Sequence, residues 1–330
     1  MTAILEFRNI VRSFKKGVPV LNGVTFSMAE GEVVGLLGRN GAGKTTLIRI
    51  AMGMLFPHAG TVRVFGLSPT EEPVAVKKRI GYVAEEQVLP VGSTIAELIA
   101  LHRYLFPGWD PSLERQLLGR FGLSNTTAKI KHLSKGQARQ VALVCAVCHR
   151  PDLLILDEPA GGLDPAARRE FLETSIQLLN REGTAILFSS HHMNDVERLG
   201  GRVVLLDDGK VRLDRQLDQI HEDHCVAMIP RSAVPDAAAI ESLPGCLRAR
   251  PVFEDWHAVF QGTPEAIRRQ LQGSLGVDGV RCVSVPLEEL FVELVGSNGC
   301  LTVLGGRGAS GRPVLRRPSG SRNLATRSTP

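Results

Sequence analysis

An α/β fold with a mainly parallel sheet is what this sequence predicts, and three observations predict it. Val33-Val34-Gly35-Leu36-Leu37 and Leu153-Leu154-Ile155-Leu156 are short apolar runs, the pattern of strands buried on both faces of a parallel sheet. Each run ends at a loop that carries polar chemistry, Gly38 to Thr46 after the first and Asp157-Glu158-Pro159 after the second. Open α/β sheets hold their ligands at the carboxyl ends of such strands. A helical pattern, Leu47 to Met52, then follows the first loop.

Gly38-Arg39-Asn40-Gly41-Ala42-Gly43-Lys44-Thr45-Thr46 fits G-x-x-x-x-G-K-[ST], with Gly38, Gly43, Lys44 and Thr45 at the fixed positions. Glycines let backbone N–H groups turn toward an anion, and the helix N-terminus adds positive potential. Lys44 is placed to reach the β/γ-phosphates of a nucleotide, and the Thr45 hydroxyl to ligate Mg²⁺. Asp157 is then the expected magnesium partner and Glu158 the expected general base for an attacking water. Ala185-Ile186-Leu187-Phe188 is a further buried-strand run, and it leads into Ser189-Ser190-His191. In Leu133-Ser134-Lys135-Gly136-Gln137, Ser134 and Gln137 have capping-box spacing ahead of a helical pattern, Ala138 to His149. A capped helix start is also an anion site, so the two roles are compatible.

In this order and spacing the phosphate loop, LSKGQ, LLILDEP, Gly162-Leu163-Asp164 and Ser189-Ser190-His191 resemble the ATPase domains of ABC transporters. LSKGQ is the discriminating element, because many nucleotide-binding families share the other motifs. The resemblance covers about residues 4–215 and, more loosely, 216–296. It implies a P-loop ATPase core with a mainly parallel sheet, an antiparallel N-terminal β-subdomain, a helical signature subdomain at about 88–145 and a small α+β C-terminal unit. It implies ATP and Mg²⁺ as cofactors. The nucleotide would be held by Gly38, Asn40, Gly41, Ala42, Gly43, Lys44, Thr45 and Thr46, and Mg²⁺ by Thr45, Asp157 and Glu85. Phe14 would stack on adenine, for which a π-face suffices; a core side chain is the alternative there. Two such domains pack head to tail, so Ser134, Gly136 and Gln137 of one would face the γ-phosphate held by the other. His191 would contact that phosphate and the catalytic Glu158, and Asp164 would sit at the seam between the two domains.

The chain departs from the family pattern at three places. Alignment on Gly81-Tyr82-Val83 puts Glu85 where the family has a coupling-loop Gln; a slip of two residues would give that role to Gln87. A carboxylate still accepts hydrogen bonds and approaches magnesium, but it cannot donate and adds negative charge near a polyanion. The expectation is intact binding with altered coupling or turnover. Lys135 replaces a common Gly in the signature, and Ala160-Gly161-Gly162 follows Pro159 in place of the usual residues. Neither change removes a group that does chemistry.

Composition bounds the rest. Of 330 residues, 43% are hydrophobic and 22% charged, and no stretch approaches the ~18 uninterrupted apolar residues of a membrane helix. The N-terminus lacks a signal-peptide layout. Membrane-spanning parts are therefore expected on other polypeptides, integral permease subunits, with this chain peripheral on the cytoplasmic face of the membrane. The net charge of +5 resides in residues 297–330, whose six arginines without lysine or acid carry +6 and leave −1 for residues 1–296. No nucleic-acid partner is expected, and the Gly/Ser/Arg/Pro-rich tail reads as disordered, either inert or touching anionic lipid. Six scattered cysteines suit a reducing cytosol; Cys145 and Cys148 have C-x-x-C spacing inside an apolar helical stretch and read as packed core thiols.

Three segments are expected: an ATPase domain at 1–220, a small ferredoxin-like unit at 221–296 and the tail at 297–330. In the second, strands at Cys225–Ile229, Cys246–Arg250, Trp256–Gln261 and Arg281–Val285 alternate with helices at Ala237–Ser242 and Pro264–Leu271, a β-α-β-β-α-β order. A last helix carries Leu287, Leu290, Phe291, Leu294 and Val295 on one face, to regulate a dimer or close the fold. In the helical insertion, Thr94 to Leu105 and Pro111 to Phe121 read as helices separated by Phe106-Pro107-Gly108-Trp109-Asp110. That aromatic turn resembles the ATPases of ABC-2-type exporters, and Phe106 and Trp109 are either docking residues for the membrane partner or internal packing. The function expected is an ATP-hydrolysing subunit that dimerises around ATP, with itself or a paralogue, and powers export through the permeases. Import, a non-transport membrane complex and a low-turnover regulatory module, for example on a ribosome, are the alternatives.

Overall fold

The computed structural model describes residues 3–15, 17–85, 89–159, 161, 168–169, 171–174, 183–199 and 201–295. Asp164, Gln87 and the tail lie outside the described residues. Strands β1 (Ala3–Lys15) and β2 (Val18–Ala29) form a long antiparallel hairpin, and β4 (Ala59–Val64) joins β1 to complete a three-stranded sheet. Their alternating exposure, with Leu5, Phe7 and Ile10 buried, is what one covered face of an antiparallel sheet produces.

The central sheet has six strands in the order β5-β6-β7-β3-β8-β9. These are β3 (Val33–Leu37), β5 (Ile80–Val83), β6 (Leu153–Leu156), β7 (Ala185–Ser190), β8 (Arg202–Asp207) and β9 (Lys210–Gln216). Only β8 and β9 pair antiparallel. Every residue of β3, β6 and β7 is buried, as continuous apolar runs require when both faces are covered. One face packs with the antiparallel sheet and α1 (Lys44–Ala51) in a common core. A short α2 (Pro73–Lys77) precedes β5.

The other face carries the helical subdomain: α3 (Ile95–Leu105), α4 (Pro111–Arg120) and α5 (Lys135–Val147). Sequence accounts for each start. Thr94 and Glu97 form a capping box for α3, and Asp110 caps α4 with Pro111 at its first position. Helix α5 lies so close to β5 that a Cβ on Gly81 would stand 2.1 Å from the Ala146 carbonyl, which makes glycine obligatory there. Cys145 in α5 and Cys148 at its C-terminal cap are buried free thiols, and burial pushes the Cys145 thiol up to about 12.

The aromatic turn packs inward. The Trp109 indole N–H donates to buried Glu114 at 2.7 Å, and Arg103 donates to the same carboxylate at 2.6 to 3.0 Å. Phe106 stacks on buried His149 at 4.2 Å. The large apolar groups left exposed here are Leu101, Tyr104 and Leu105 on α3. Glu114→Ala is expected to lower stability by about 1–3 kcal/mol, because it leaves the indole N–H without its acceptor. Urea unfolding checks this, and an unchanged midpoint would contradict it.

Helix α6 (Met193–Leu199) lies between β7 and β8; after β9 come α7 (Leu217–Asp223) and then a third sheet. Its strands are β10 (His224–Pro230), β11 (Cys246–Val252), β12 (Asp255–Gln261) and β13 (Arg281–Ser284), antiparallel in the order β11-β12-β10-β13. With α8 (Ala237–Glu241) and α9 (Pro264–Leu275) they enclose a separate apolar core. The last helix, α10 (Leu287–Val295), leaves that core: Leu287, Leu290 and Phe291 are buried in the apolar cluster of the central sheet.

Candidate functional site

The phosphate loop joins β3 to α1 and wraps the mouth of a cavity of about 380 Å³. Asn40, Gly41, Gly43, Lys44, Thr45 and Thr46 line it, with Val20 from β2 and the carboxylates Glu85 and Glu158. Gly43 holds a φ of +104°, and a Cβ there would meet the Val20 carbonyl at 2.9 Å and Leu21 Cδ2 at 2.6 Å. Only glycine serves at that bend. Gly38 and Ala42 are buried behind the loop rather than in the cavity wall.

Lys44 is 5% exposed, and its ammonium is held by charge-assisted contacts. It donates to the Gly38 carbonyl at 2.7 Å and the Arg39 carbonyl at 3.3 Å, and it stands 3.1 Å from Glu158 Oε1 as an ion pair. The other oxygen of Glu158, Oε2, lies 2.8 Å from His191 Nδ1. Glu158 has a left-handed backbone, φ +44°, a conformation costing about 1–3 kcal/mol that persists when surroundings enforce it. The enforcing contact is Ser189: the Glu158 N–H donates to Ser189 Oγ at 2.9 Å, and Ser189 Oγ donates to Asp157 Oδ1 at 2.8 Å.

Asp157 closes the set. Its Oδ1 also accepts from Thr45 Oγ1 at 3.2 Å, whereas its buried Oδ2 accepts no hydrogen bond. Burial raises the Asp157 carboxyl above its ordinary value; the hydroxyls of Ser189 and Thr45 oppose this, Glu158 adds to it and Lys44 opposes it. A buried carboxylate oxygen without a donor, next to a threonine hydroxyl, is a hard-oxygen donor set that fits Mg²⁺. Glu85, exposed at the cavity wall, faces the same space.

Ser134 caps α5, accepting from the Gln137 N–H at 3.2 Å, while Gln137 Oε1 accepts from the Ser134 N–H at 3.0 Å. Both side chains are solvent-exposed and outside the cavity of their own chain, as is Phe14, which is 60% exposed on β1 with the Arg12 guanidinium 5.1 Å from its ring. The intermediate exposure of Gly136 keeps the start of α5 open to contact.

One participant has no sequence signal of its own. Arg139, a turn into α5, donates to the Pro159 carbonyl at 2.6 Å, the Glu158 carbonyl at 3.3 Å and the Glu85 carbonyl at 2.8 Å. A single guanidinium thereby ties the helical subdomain to both acidic loops of the cavity. Val20 is likewise a plain apolar residue with no such signal, whereas Ser189 belongs to the Ser189-Ser190-His191 motif, which does not by itself show its contacts to Asp157 and Glu158.

Comparison with known proteins agrees with this assembly. The ABC transporter family profile matches residues 21–161. The ABC transporter ATP-binding protein YtrB of Bacillus subtilis is 31% identical over 221 residues, 67% of this chain and 75% of that protein. The Nod factor export ATP-binding protein I of Burkholderia lata is 32% identical over 301 residues, 89% of this chain and 97% of that protein. Among solved structures, an ATP-binding subunit of an ABC transporter aligns with TM-score 0.60 at 32% identity over 66% of this chain and 92% of that one. On the phosphate loop, the capped signature helix, the paired Glu158 and His191 and these relatives together, the chain belongs to the ABC transporter ATP-binding family.

Proposed function

We propose that this chain hydrolyses ATP as one half of a dimer and powers export through separate membrane subunits. The observation that carries hydrolysis is the convergence of Lys44 and His191 on Glu158 at the wall of the phosphate-loop cavity. Glu158 would accept a proton from the water that attacks the γ-phosphorus as the bond to the β–γ bridging oxygen breaks, giving ADP and phosphate. His191 orients that carboxylate. Lys44 would exchange its contact with Glu158 for phosphate oxygens, which frees the base as substrate enters. Thr45 and Asp157, with Glu85 nearby, would hold Mg²⁺, which when bound neutralises charge on the β- and γ-oxygens.

The exposed signature start supports a composite site. Ser134, Gly136 and Gln137 do not line the cavity of their own chain, which supports their acting on nucleotide from a second subunit; Asp164, outside the described residues, is assigned to the seam. Phe14, exposed on β1, is assigned to adenine. The export direction rests on the relative named for Nod factor export, which aligns over 89% of this chain. Among the described residues no helix is long and apolar enough to cross a membrane; the family match supports separate permease chains, with this one peripheral at the cytoplasmic face. The strand order β11-β12-β10-β13 with two helices supports a ferredoxin-like unit at 221–296, after an ATPase domain at 1–220. The residues at 297–330 are assigned as a dispensable basic tail.

Hydrolysis measured against protein concentration tests this directly. Turnover should rise more steeply than linearly, because two chains complete each site; strictly linear turnover would contradict it. Glu85→Gln should raise partner-stimulated turnover a few-fold, on the order of 1 kcal/mol or less, by removing a charge near the polyanion. If that variant leaves both stimulated hydrolysis and transport unchanged, Glu85 has no part in coupling.

A further inference from the structure

We propose that α10 is a positioning element for the nucleotide cavity, and that Phe291 sets nucleotide affinity through Arg39 of the phosphate loop. The inference rests on the ATP-binding role proposed above and assigns a task to the C-terminal end of the described chain.

Two contacts carry it. The Phe291 ring, 6% exposed, carries the Arg39 guanidinium 5.9 Å from its centroid, a cation–π geometry. Arg39 stands between Gly38 and Asn40, and its carbonyl accepts both from Lys44 Nζ at 3.3 Å and from the Ala42 N–H at 3.1 Å. Its backbone is thus part of the cradle, while its side chain is held from outside by Phe291. The second contact is at the start of the helix, where the Leu287 N–H donates to Glu197 Oε1 on α6 at 2.6 Å. Helix α6 begins two residues after His191. Leu287 and Leu290 are buried in the same apolar cluster as Val196 of α6 and Leu205 of β8, so the helix is seated firmly enough to transmit position.

One helix therefore touches the phosphate loop at Arg39 and, at Glu197, the helix that follows His191. A loop whose conformation is fixed before binding loses less freedom when phosphate arrives, and that saving appears as affinity. Phe291 is a positioning residue in this sense, because it meets the loop and not the nucleotide. Its aromatic face is the essential property: leucine would retain the apolar packing and lose the attraction for the guanidinium.

Equilibrium binding of a fluorescent ATP analogue to the full chain tests this, with Phe291→Leu, Phe291→Trp, Arg39→Gln and the double variant Phe291→Leu/Arg39→Gln beside wild type. Phe291→Leu and Arg39→Gln should each weaken binding about two- to fivefold. The double variant should be no weaker than either single one, because both remove the same contact. Phe291→Trp should bind like wild type. Arg39→Gln keeps every apolar side chain of α10, and a urea midpoint equal to wild type separates its loss of affinity from unfolding. Wild-type affinity in Phe291→Leu, or multiplying effects in the double variant, overturns the proposal. A wild-type chain that binds no nucleotide overturns the ATP-binding role and this inference with it.

Discussion

Glu158→Gln should lower ATP turnover about 10²- to 10⁴-fold, the range a positioned general base contributes, while ATP binding is retained or strengthened. The amide keeps the volume of the carboxylate and an oxygen for His191, whose Nδ1 lies 2.8 Å from Glu158 Oε2. It loses the ability to take a proton from water. It also loses the charge that pairs with Lys44 at 3.1 Å. Releasing that lysine favours phosphate contact, so affinity should not fall. Phosphate release and equilibrium ATP binding, measured on the same preparation, separate the two effects. Parallel loss of both would mean that Glu158 supports the loop rather than the chemistry.

Lys44→Ala should weaken ATP binding about 10- to 100-fold, the worth of hydrogen bonds from a charged group at a buried site. Lys44 is 5% exposed and arranged toward the cavity by two loop carbonyls. Its removal deletes the cation proposed for the β/γ-phosphates and leaves the buried Glu158 carboxylate without its lysine ion pair, hydrogen-bonded to His191 Nδ1 at 2.8 Å. The carboxylate then repels an incoming polyanion, which adds to the loss. Titration with a fluorescent ATP analogue reads this, and affinity within twofold of wild type would contradict the assignment.

The parts legible in the sequence share a property: the chemistry and the local structure are encoded by the same residues. The apolar runs at Val33–Leu37 and Leu153–Leu156 form fully buried strands, and the phosphate loop lies between β3 and α1. Ser134 and Gln137 announce a capping box by spacing alone, and the box is made. The strand–helix alternation after Leu213 reads through because turn residues and capped starts such as Thr263-Pro264 punctuate it. What stayed illegible acts across the fold. Arg139 reaches three backbone carbonyls, and a carbonyl has no residue identity to search for. Phe291 was visible as one apolar position on a helix face, but not that its ring meets Arg39 from the other end of the chain. The aromatic turn shows the same limit, since Trp109 spends its N–H on Glu114 inside the subdomain and the exposed apolar groups belong to the preceding helix.

In the dimer proposed above, two chains complete each ATP site through Ser134 and its neighbours. Sedimentation equilibrium of Glu158→Gln with and without ATP·Mg²⁺, beside the same protein carrying Ser134→Arg, tests it most directly. A monomer without nucleotide, a dimer with ATP·Mg²⁺, reversal on magnesium chelation, and a monomer throughout when Ser134→Arg is present are expected. A monomer under saturating ATP·Mg²⁺, or a dimer that survives Ser134→Arg, would contradict it.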